Sequence, residues 1–492
     1  MSNTNLIITN VHLASESAAA DTLWTIECAN GKVVKIIAYD PAETHSAAHG
    51  KNVIDGKGTS ILLPSLCHAH IHLDKCFILD RCGELISGDL REAMEVTAKA
   101  KAGFPLDSED LLKRGRKLIR ESVECGVTSM RAHVEIDTLA GVSALDAGLL
   151  LKKECEVACY IQVSAFAQEA LFTNANETDP GPNYTLLAEA LHRPGIEVVG
   201  SAPYVEPSLS QAKQNIALIF NLATQHHLHV DFHLDFNLDP TSEPLIYEVI
   251  RQASLHCPLW SSEPKRRITI GHATRLQLFT PEEWRHLSAA IGDLPITLVS
   301  LPNTDIYMQG RAHTHEPLGA PRGALRVPYL ARQYGVKIAM SVNNVGNAFT
   351  PQGSVDPLAL CTFGAAVFQA ATKMDVQSLM ESVTITSKLA IGDANSPVDV
   401  SNSSSTSSST SGLSSLVPQE GDPADFVLLH GTKTLGQAVL NPGYDRTTIR
   451  RGVVVARRRT RTWGVLAESG AESMEGDVEV NGDGDDGDVD VA

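Results

Sequence analysis

The sequence predicts an α/β fold: a (β/α)8 barrel of the TIM type with a small β-sandwich built from both termini. Three observations carry this expectation. Between about residues 66 and 390, short apolar strands alternate with helical stretches, the pattern of a closed parallel barrel. Polar residues fall at the C-terminal ends of those strands, where such barrels keep their active sites. Segments of β character lie at both ends of the chain, outside the alternating region.

In chain order, residues 5–13 (NLIITNVHL) and 23–38 (LWTIECANGKVVKIIA) read as strands, the second turning at Asn30-Gly31, a hairpin signal. Val53-Ile54-Asp55 and Ile61-Leu62-Leu63 complete a small β unit that leads into a histidine-bearing strand. Helices are expected over 89–102, 108–125, 143–157, 209–226, 281–292, 325–334 and 356–390. Strands are expected over 127–134, 158–166, 196–202, 228–233, 267–271, 295–300 and 336–342. The resulting domains are 1–64 (N-terminal part of the sandwich), 65–390 (barrel) and 419–462 (C-terminal part of the sandwich). Residues 396–418 are a Ser-rich insertion and 465–492 an acidic tail, both too polar to bury a core and expected to be disordered.

Composition excludes several function classes. The net charge is −18, and ten acidic residues with no Lys or Arg lie between Ala467 and Ala492, leaving −8 on the rest. That balance argues against nucleic acid or an anionic membrane as a partner. The basic run Arg450-Arg451 and Arg457–Arg461 reads as a solvated edge strand. The nine cysteines show no CxxC pairing, and neither a signal peptide nor an 18-residue apolar run is evident. A cytoplasmic protein with free thiols is expected. Its partner is a small molecule, and a homo-oligomer is compatible with the sequence.

The chemistry is concentrated in Leu62-Leu63-Pro64-Ser65-Leu66-Cys67-His68-Ala69-His70-Ile71-His72-Leu73-Asp74-Lys75. Strand residues two apart share a face, so His70 and His72 can converge on one metal ion. His233 and His272 follow two further apolar strands, and a polar loop follows Ile338-Ala339-Met340. A lone histidine is usually a structural residue, whereas several at successive strand ends form a metal-site pattern. His68 competes with His70 for the motif. His133 reads as a hydrogen-bonding residue at the barrel mouth. Lys75 reads either as an ion-pair partner of Asp74 or as a substrate contact.

The chain resembles the amidohydrolase superfamily, and specifically its cytosine deaminase branch. The resemblance rests on His70-Ile71-His72-Leu73-Asp74, Met130-Arg131-Ala132-His133-Val134-Glu135, Ala165-Phe166-Ala167-Gln168-Glu169, Gly271-His272-Ala273-Thr274, Met308-Gln309-Gly310-Arg311 and Ala348-Phe349-Thr350-Pro351-Gln352-Gly353. It implies one divalent metal, Zn or Fe, held by His70, His72, His233 and the residue at Asn343. It implies that His272 holds the attacking water or the leaving group, and that Gln168 hydrogen-bonds a planar ring. Two acids of the family are replaced. Its catalytic glutamate falls on Phe236, which cannot carry protons, and its metal-binding aspartate falls on Asn343, which is neutral.

The leading expectation is a metal-dependent hydrolase cleaving a C–N bond of a cyclic amidine, amide or aminated heterocycle. His272 acts as base, and Asp235 or another acid such as Glu135 or Asp305 takes the place of the missing carboxylate. Phe236 forms an apolar wall against the substrate. The alternatives are a catalytically degenerate binding protein and a metal-free barrel enzyme with changed chemistry.

Overall fold

The computed structural model describes residues 6–14, 22–42, 52–260, 266–310, 323–393 and 416–461. The expected tail and nearly all of the Ser-rich insertion lie outside these residues. The chain divides after Arg459 into two units, and both sheets belong to the first.

The strands of the first sheet come from both ends of the chain. They are β1 (Leu6–Leu13), β2 (Trp24–Ala29), β3 (Lys32–Ala38), β4 (Asn52–Asp55) and β5 (Ile61–Pro64), with three late ones described below. The second sheet has eight parallel strands in sequence order. They are β6 (Leu66–His72), β7 (Val127–Glu135), β8 (Tyr160–Ala167), β9 (Ile196–Ser201), β10 (His229–Leu234), β11 (Ile268–His272), β12 (Ile296–Ser300) and β13 (Ile338–Met340). The chain then returns to the first sheet with β14 (Phe426–Leu429), β15 (Arg446–Arg450) and β16 (Val453–Arg458).

The first sheet has the order β16-β15-β14-β5-β1-β2-β3, with β4 beside β1. Strand alternation divides its side chains between two cores. Leu62, Phe426 and Leu428 pack with Ile8, Ile26 and Ile449. Their neighbours Ile61, Leu63, Val427 and Leu429 join the large core around the barrel. This is why β14 is apolar at every position rather than at alternate ones.

The barrel closes at the histidine strand itself. Just after β13, Asn343 forms a parallel bridge with Ile71. His72 N donates to Asn343 O at 2.9 Å, and Asn343 N donates to His70 O at 3.2 Å. Ser341 Oγ accepts from His70 N at 3.1 Å and donates to His70 O at 2.6 Å. The seam that completes the barrel therefore fixes the backbone on both sides of the HxH motif.

The expected helix over 356–390 is three helices, Pro357–Val367, Lys373–Val383 and Ile385–Ile391. Gln369 takes a left-handed φ of 53°, which ends the first. Thr372 and Asp375 form a capping box that starts the second. The basic run is also less exposed than expected. Arg450 is 4% exposed and donates to Glu156 O, while Arg451 faces solvent. All nine cysteines are free. No helix among the described residues is long and apolar enough to cross a membrane.

Candidate metal centre

The parallel strands bury both faces, so a polar residue on one of them must point at something polar. On β7 the polar residues Arg131, His133 and Glu135 alternate with Ala132 and Val134, and every residue of the strand is buried. On β10, Asp231 and His233 alternate with Val230, Phe232 and Leu234. Arg131 contacts Asp231 although β7 and β10 are not neighbours, so this polar face lines the barrel interior.

On β6 the phase is reset by an irregularity. Against β7, His68 pairs with Met130 and Ile71 with Ala132, so three steps on one strand match two on the other. A bulge of this kind re-aims side chains. The His68 ring contacts Ser122 Oγ at 3.2 Å, on the helix Ser108–Glu124, and stays out of the cluster. His70 turns inward.

Four imidazoles meet there. The His70 ring lies 4.2 Å from that of His133, 4.3 Å from that of His233 and 5.6 Å from that of His72, between centroids. The His72 and His233 centroids are 5.1 Å apart. Gly271 makes room for this, because a Cβ there would lie 2.8 Å from His70 Cε1 and 2.9 Å from His70 Nδ1. Phe166 lies 4.0 Å from the His233 ring and holds its other side. Burial keeps all four histidines well below the usual range, so they are neutral at pH 7 with lone pairs available.

Those lone pairs lack partners. Both ring nitrogens of His70 and His133, Nδ1 of His72, Nε2 of His233, Oδ1 of Asp231 and Oδ1 of Asn343 are buried without a hydrogen bond. Each such orphan costs about 1–3 kcal/mol. A concentration of them at one point is the signature of a site built for a cation, and the donor set of imidazole and carboxylate oxygen suits a divalent metal. Two groups have ligand atoms within 4.8 Å of one another: His70, His133, Asp231 and His233, and separately His72, Asp74 and Glu135.

The second group carries its own cation. Lys75 Nζ lies 2.5 Å from Glu135 Oε1, and Lys101 Nζ lies 2.6 Å from Glu135 Oε2 and 2.7 Å from Asp137 Oδ2. Burial pushes the Glu135 carboxyl up, but the ammonium groups of Lys101 and Lys75 outweigh it and bring it down to about 2. Burial, followed by the charge of Glu135, raises Asp74 to about 6. Lys75 is thus a buried ion-pair partner of Glu135. It also lines a small cleft with Gln168, Glu169 and Phe349.

The remaining residues of interest sit around the rim. His272 Nδ1 contacts Asp305 Oδ1 at 2.7 Å, and Asp305 Oδ2 accepts from Leu301 N at 3.1 Å. Asp305 is wholly buried on the short helix Pro302–Met308. Phe236 lies on the His272 ring, 4.0 Å between centroids, in an apolar cluster with Met308 and Phe349. Gln168 Nε2 donates to Tyr204 Oη at 3.2 Å. Asn343 Nδ2 donates to Thr304 Oγ1 at 2.9 Å. Asp235 is engaged elsewhere: its two oxygens accept from Leu245 N at 2.8 Å and Ile246 N at 3.1 Å. It anchors the loop ahead of the helix Ile246–His256, and burial raises it to about 7. The left-handed φ values of Asp235 (50°), His272 (69°), Ala273 (52°) and Asn343 (69°) fall at the strand ends that carry the site. Strain of this kind collects at functional sites.

The structure therefore brings His70, His72 and His233 together, with His272 beside them at 5.6 Å from the His233 ring. His133, expected as a hydrogen-bonding residue at the barrel mouth, lies in the cluster with neither ring nitrogen hydrogen-bonded, and Asp231, not among the expected site residues, lies beside it. The signal for both was the alternation of polar and apolar residues along a strand expected to be buried. Gly271→Ala is expected to push the His70 ring aside, because the added Cβ would lie 2.8 Å from His70 Cε1, and to weaken binding of a divalent metal by about 10–100-fold, the scale on which a misoriented ligand acts. Chelator competition against the folded variant measures it.

No family model matches the chain. It is 25% identical over 232 residues to an N-isopropylammelide isopropyl amidohydrolase of Pseudomonas sp. (strain ADP), spanning 46% of this chain and 52% of that protein. The chain thus matches about half the length of this curated relative. Its fold is that of a 5-methylcytosine deaminase from Klebsiella pneumoniae liganded with 5-fluorocytosine (TM-score 0.76, 22% identity, covering 93% of this chain and 99% of that one). An N-isopropylammelide isopropylaminohydrolase from Burkholderia multivorans superposes with TM-score 0.67 at 21% identity, over 92% of this chain and 99% of that one. An adenosine deaminase from Xanthomonas campestris with bound zinc gives 0.57 at 15%, over 92% of each. The chain is thus similar in sequence to an amidohydrolase over about half its length, and in fold to a 5-methylcytosine deaminase over nearly all of it.

Proposed function

We propose that the chain is a metal-dependent hydrolase that cleaves a C–N bond in a cyclic amidine, amide or aminated heterocycle. The observation that carries this reading is the convergence of four buried, neutral imidazoles beside a His272–Asp305 pair at the C-terminal mouth of the barrel. A bound divalent ion would contribute Lewis acidity and make water a better nucleophile at neutral pH.

The chain's own groups do the rest. With Asp305 accepting from Nδ1–H, the His272 Nε2 lone pair is the free one, so His272 is the tautomer of a base. His272 takes a proton as water adds to carbon and returns it to the departing nitrogen, the work done by the family's glutamate. Phe236 covers one face of the His272 ring, excludes water and favours a substrate with an apolar substituent. Gln168 presents an amide to the ring of the substrate.

Asp305→Asn is expected to lower kcat by about 10²–10⁴-fold, since it removes the group that fixes the tautomer. Metal content stays unchanged. An equal activity in the variant would remove Asp305 from the mechanism.

One observation favours a second reading, ligand binding without turnover: Phe236 and Asn343 leave the site without the family's two acids. A screen for ammonia or amine release from aminated pyrimidines and triazines by the metal-loaded protein separates the two. Release by the parent supports the hydrolase. No release, with turnover of cytosine appearing in the double variant Phe236→Glu, Asn343→Asp, supports the binding protein.

A further inference from the structure

We propose that the metal is held by His70, His133, His233 and the carboxylate of Asp231, so that Asp231 provides from inside the barrel the negative charge that Asn343 cannot. This rests on the metal-dependent reading above and specifies its ligand set.

Four observations point to it. The ligand atoms of these four residues all lie within 4.8 Å of one another. Asp231 Oδ1 is 3.7 Å from His233 Nε2 and 3.9 Å from His133 Nε2. Ligand atoms of a tetrahedral zinc ion stand roughly 3.4 Å apart, so small side-chain movements complete the shell. Asp231 is also held as an outer shell holds a ligating carboxylate. Its Oδ2 is fixed by Thr269 Oγ1 and by Arg131 Nη1 at 3.3 Å, while Oδ1 has no hydrogen bond and is wholly buried.

A purely structural Arg–Asp pair buried this deeply would be expected to engage both oxygens in a bidentate fork. Here Arg131 uses one, and turns Nε to Gln162 Oε1 at 2.7 Å. The third observation is His133, whose two nitrogens are both buried and unbonded beside the rings of His70 and His233. A histidine that served only to fill the barrel would be expected to bond through at least one of them.

The fourth concerns the displaced residues. His72 directs Nδ1 toward the acidic group, 4.0 Å from both Asp74 Oδ1 and Glu135 Oε1, which leaves only its Nε2 as a ligand atom. Asn343 could offer only a neutral carbonyl oxygen. A divalent cation gains more from the anionic carboxylate oxygen than from a neutral amide oxygen.

The test is metal affinity, read independently of any activity. The full-length protein is stripped with a chelator and titrated with Zn²⁺ under chelator competition, and with Co²⁺ to record its d–d spectrum. Circular dichroism checks the fold. His133→Gln and Asp231→Asn are expected to weaken Zn²⁺ binding by well over the roughly 100-fold that loss of an outer-shell partner can cost, and to change the Co²⁺ spectrum. Asn343→Ala is expected to shift affinity less than about threefold and leave the spectrum unchanged.

His133→Gln and Asn343→Ala leave the Arg131–Asp231 pair intact, so the comparison survives if Asp231→Asn fails to fold. Retained affinity in His133→Gln, or a loss in Asn343→Ala as large as that in His133→Gln, would overturn the assignment while leaving a metal-dependent hydrolase in place. A parent protein that takes up no metal would overturn both.

Discussion

Replacing His70 by alanine is expected to leave the folded protein without bound metal and without the proposed hydrolytic activity. His70 packs against the rings of both His133 and His233 and belongs to the group of three imidazoles and one carboxylate at the centre of the cluster. Elemental analysis of the parent is expected to find about one Zn or Fe per chain, and the variant close to none. The thermodynamic effect is equally readable. An ion that binds only the folded state at about a thousand times its Kd stabilises by about 4 kcal/mol. The parent's melting temperature therefore falls on adding chelator and recovers with Zn²⁺. The His70→Ala variant responds to neither, and its melting temperature resembles that of the stripped parent. A variant that still binds stoichiometric metal would show that the ion sits elsewhere in the molecule.

Much of this site is legible in the sequence alone, and the reasons are local. His70 and His72 are two apart on an apolar strand, and His233 and His272 end strands of the same kind, so period-two geometry and the polarity of a barrel mouth are enough. What escaped depends on relations that sequence distance hides. Asp305 is among the acids the sequence offers, but its pairing with His272 spans 33 positions, through a helix that follows a different strand. Asp235 adjoins Phe236, which makes it the acid nearest in sequence to the replaced glutamate, but its left-handed backbone turns the carboxylate onto Leu245 N and Ile246 N. His68 shares its phase with His70 on an ideal strand, and only the bulge separates them. Nothing local marks what Asp231 pairs with, because its partner, Arg131, lies 100 positions away across the barrel. The break of 356–390 into three helices was within reach, since Thr372 and Asp375 carry the spacing of a capping box.

The second large effect lies where the two sheets are joined. Arg446→Ala is expected to destabilise the protein by about 3–5 kcal/mol, the usual result of removing one partner from a buried ion pair. Arg446 is 1% exposed on β15, and its fork meets Asp356 bidentately, Nη1 to Oδ1 at 2.7 Å and Nη2 to Oδ2 at 2.6 Å. Nη1 also donates to Cys125 O at 2.8 Å. Asp356 has a second task, accepting from Leu358 N at 2.9 Å as the N-cap of the helix Pro357–Val367. Truncating Arg446 thus leaves a carboxylate at a buried helix start with its countercharge gone. The denaturant midpoint measures the loss, with the slope unchanged if the denatured state is the same. β15 carries none of the clustered histidines, so metal per folded chain should hold at its parent value. Adding Asp356→Asn to the variant keeps an N-capping side chain and removes the stranded charge, and should recover a large part of the loss. If the double variant is no more stable than Arg446→Ala, the cost lies in the lost packing of the arginine and its bond to Cys125 O, not in the unpaired carboxylate.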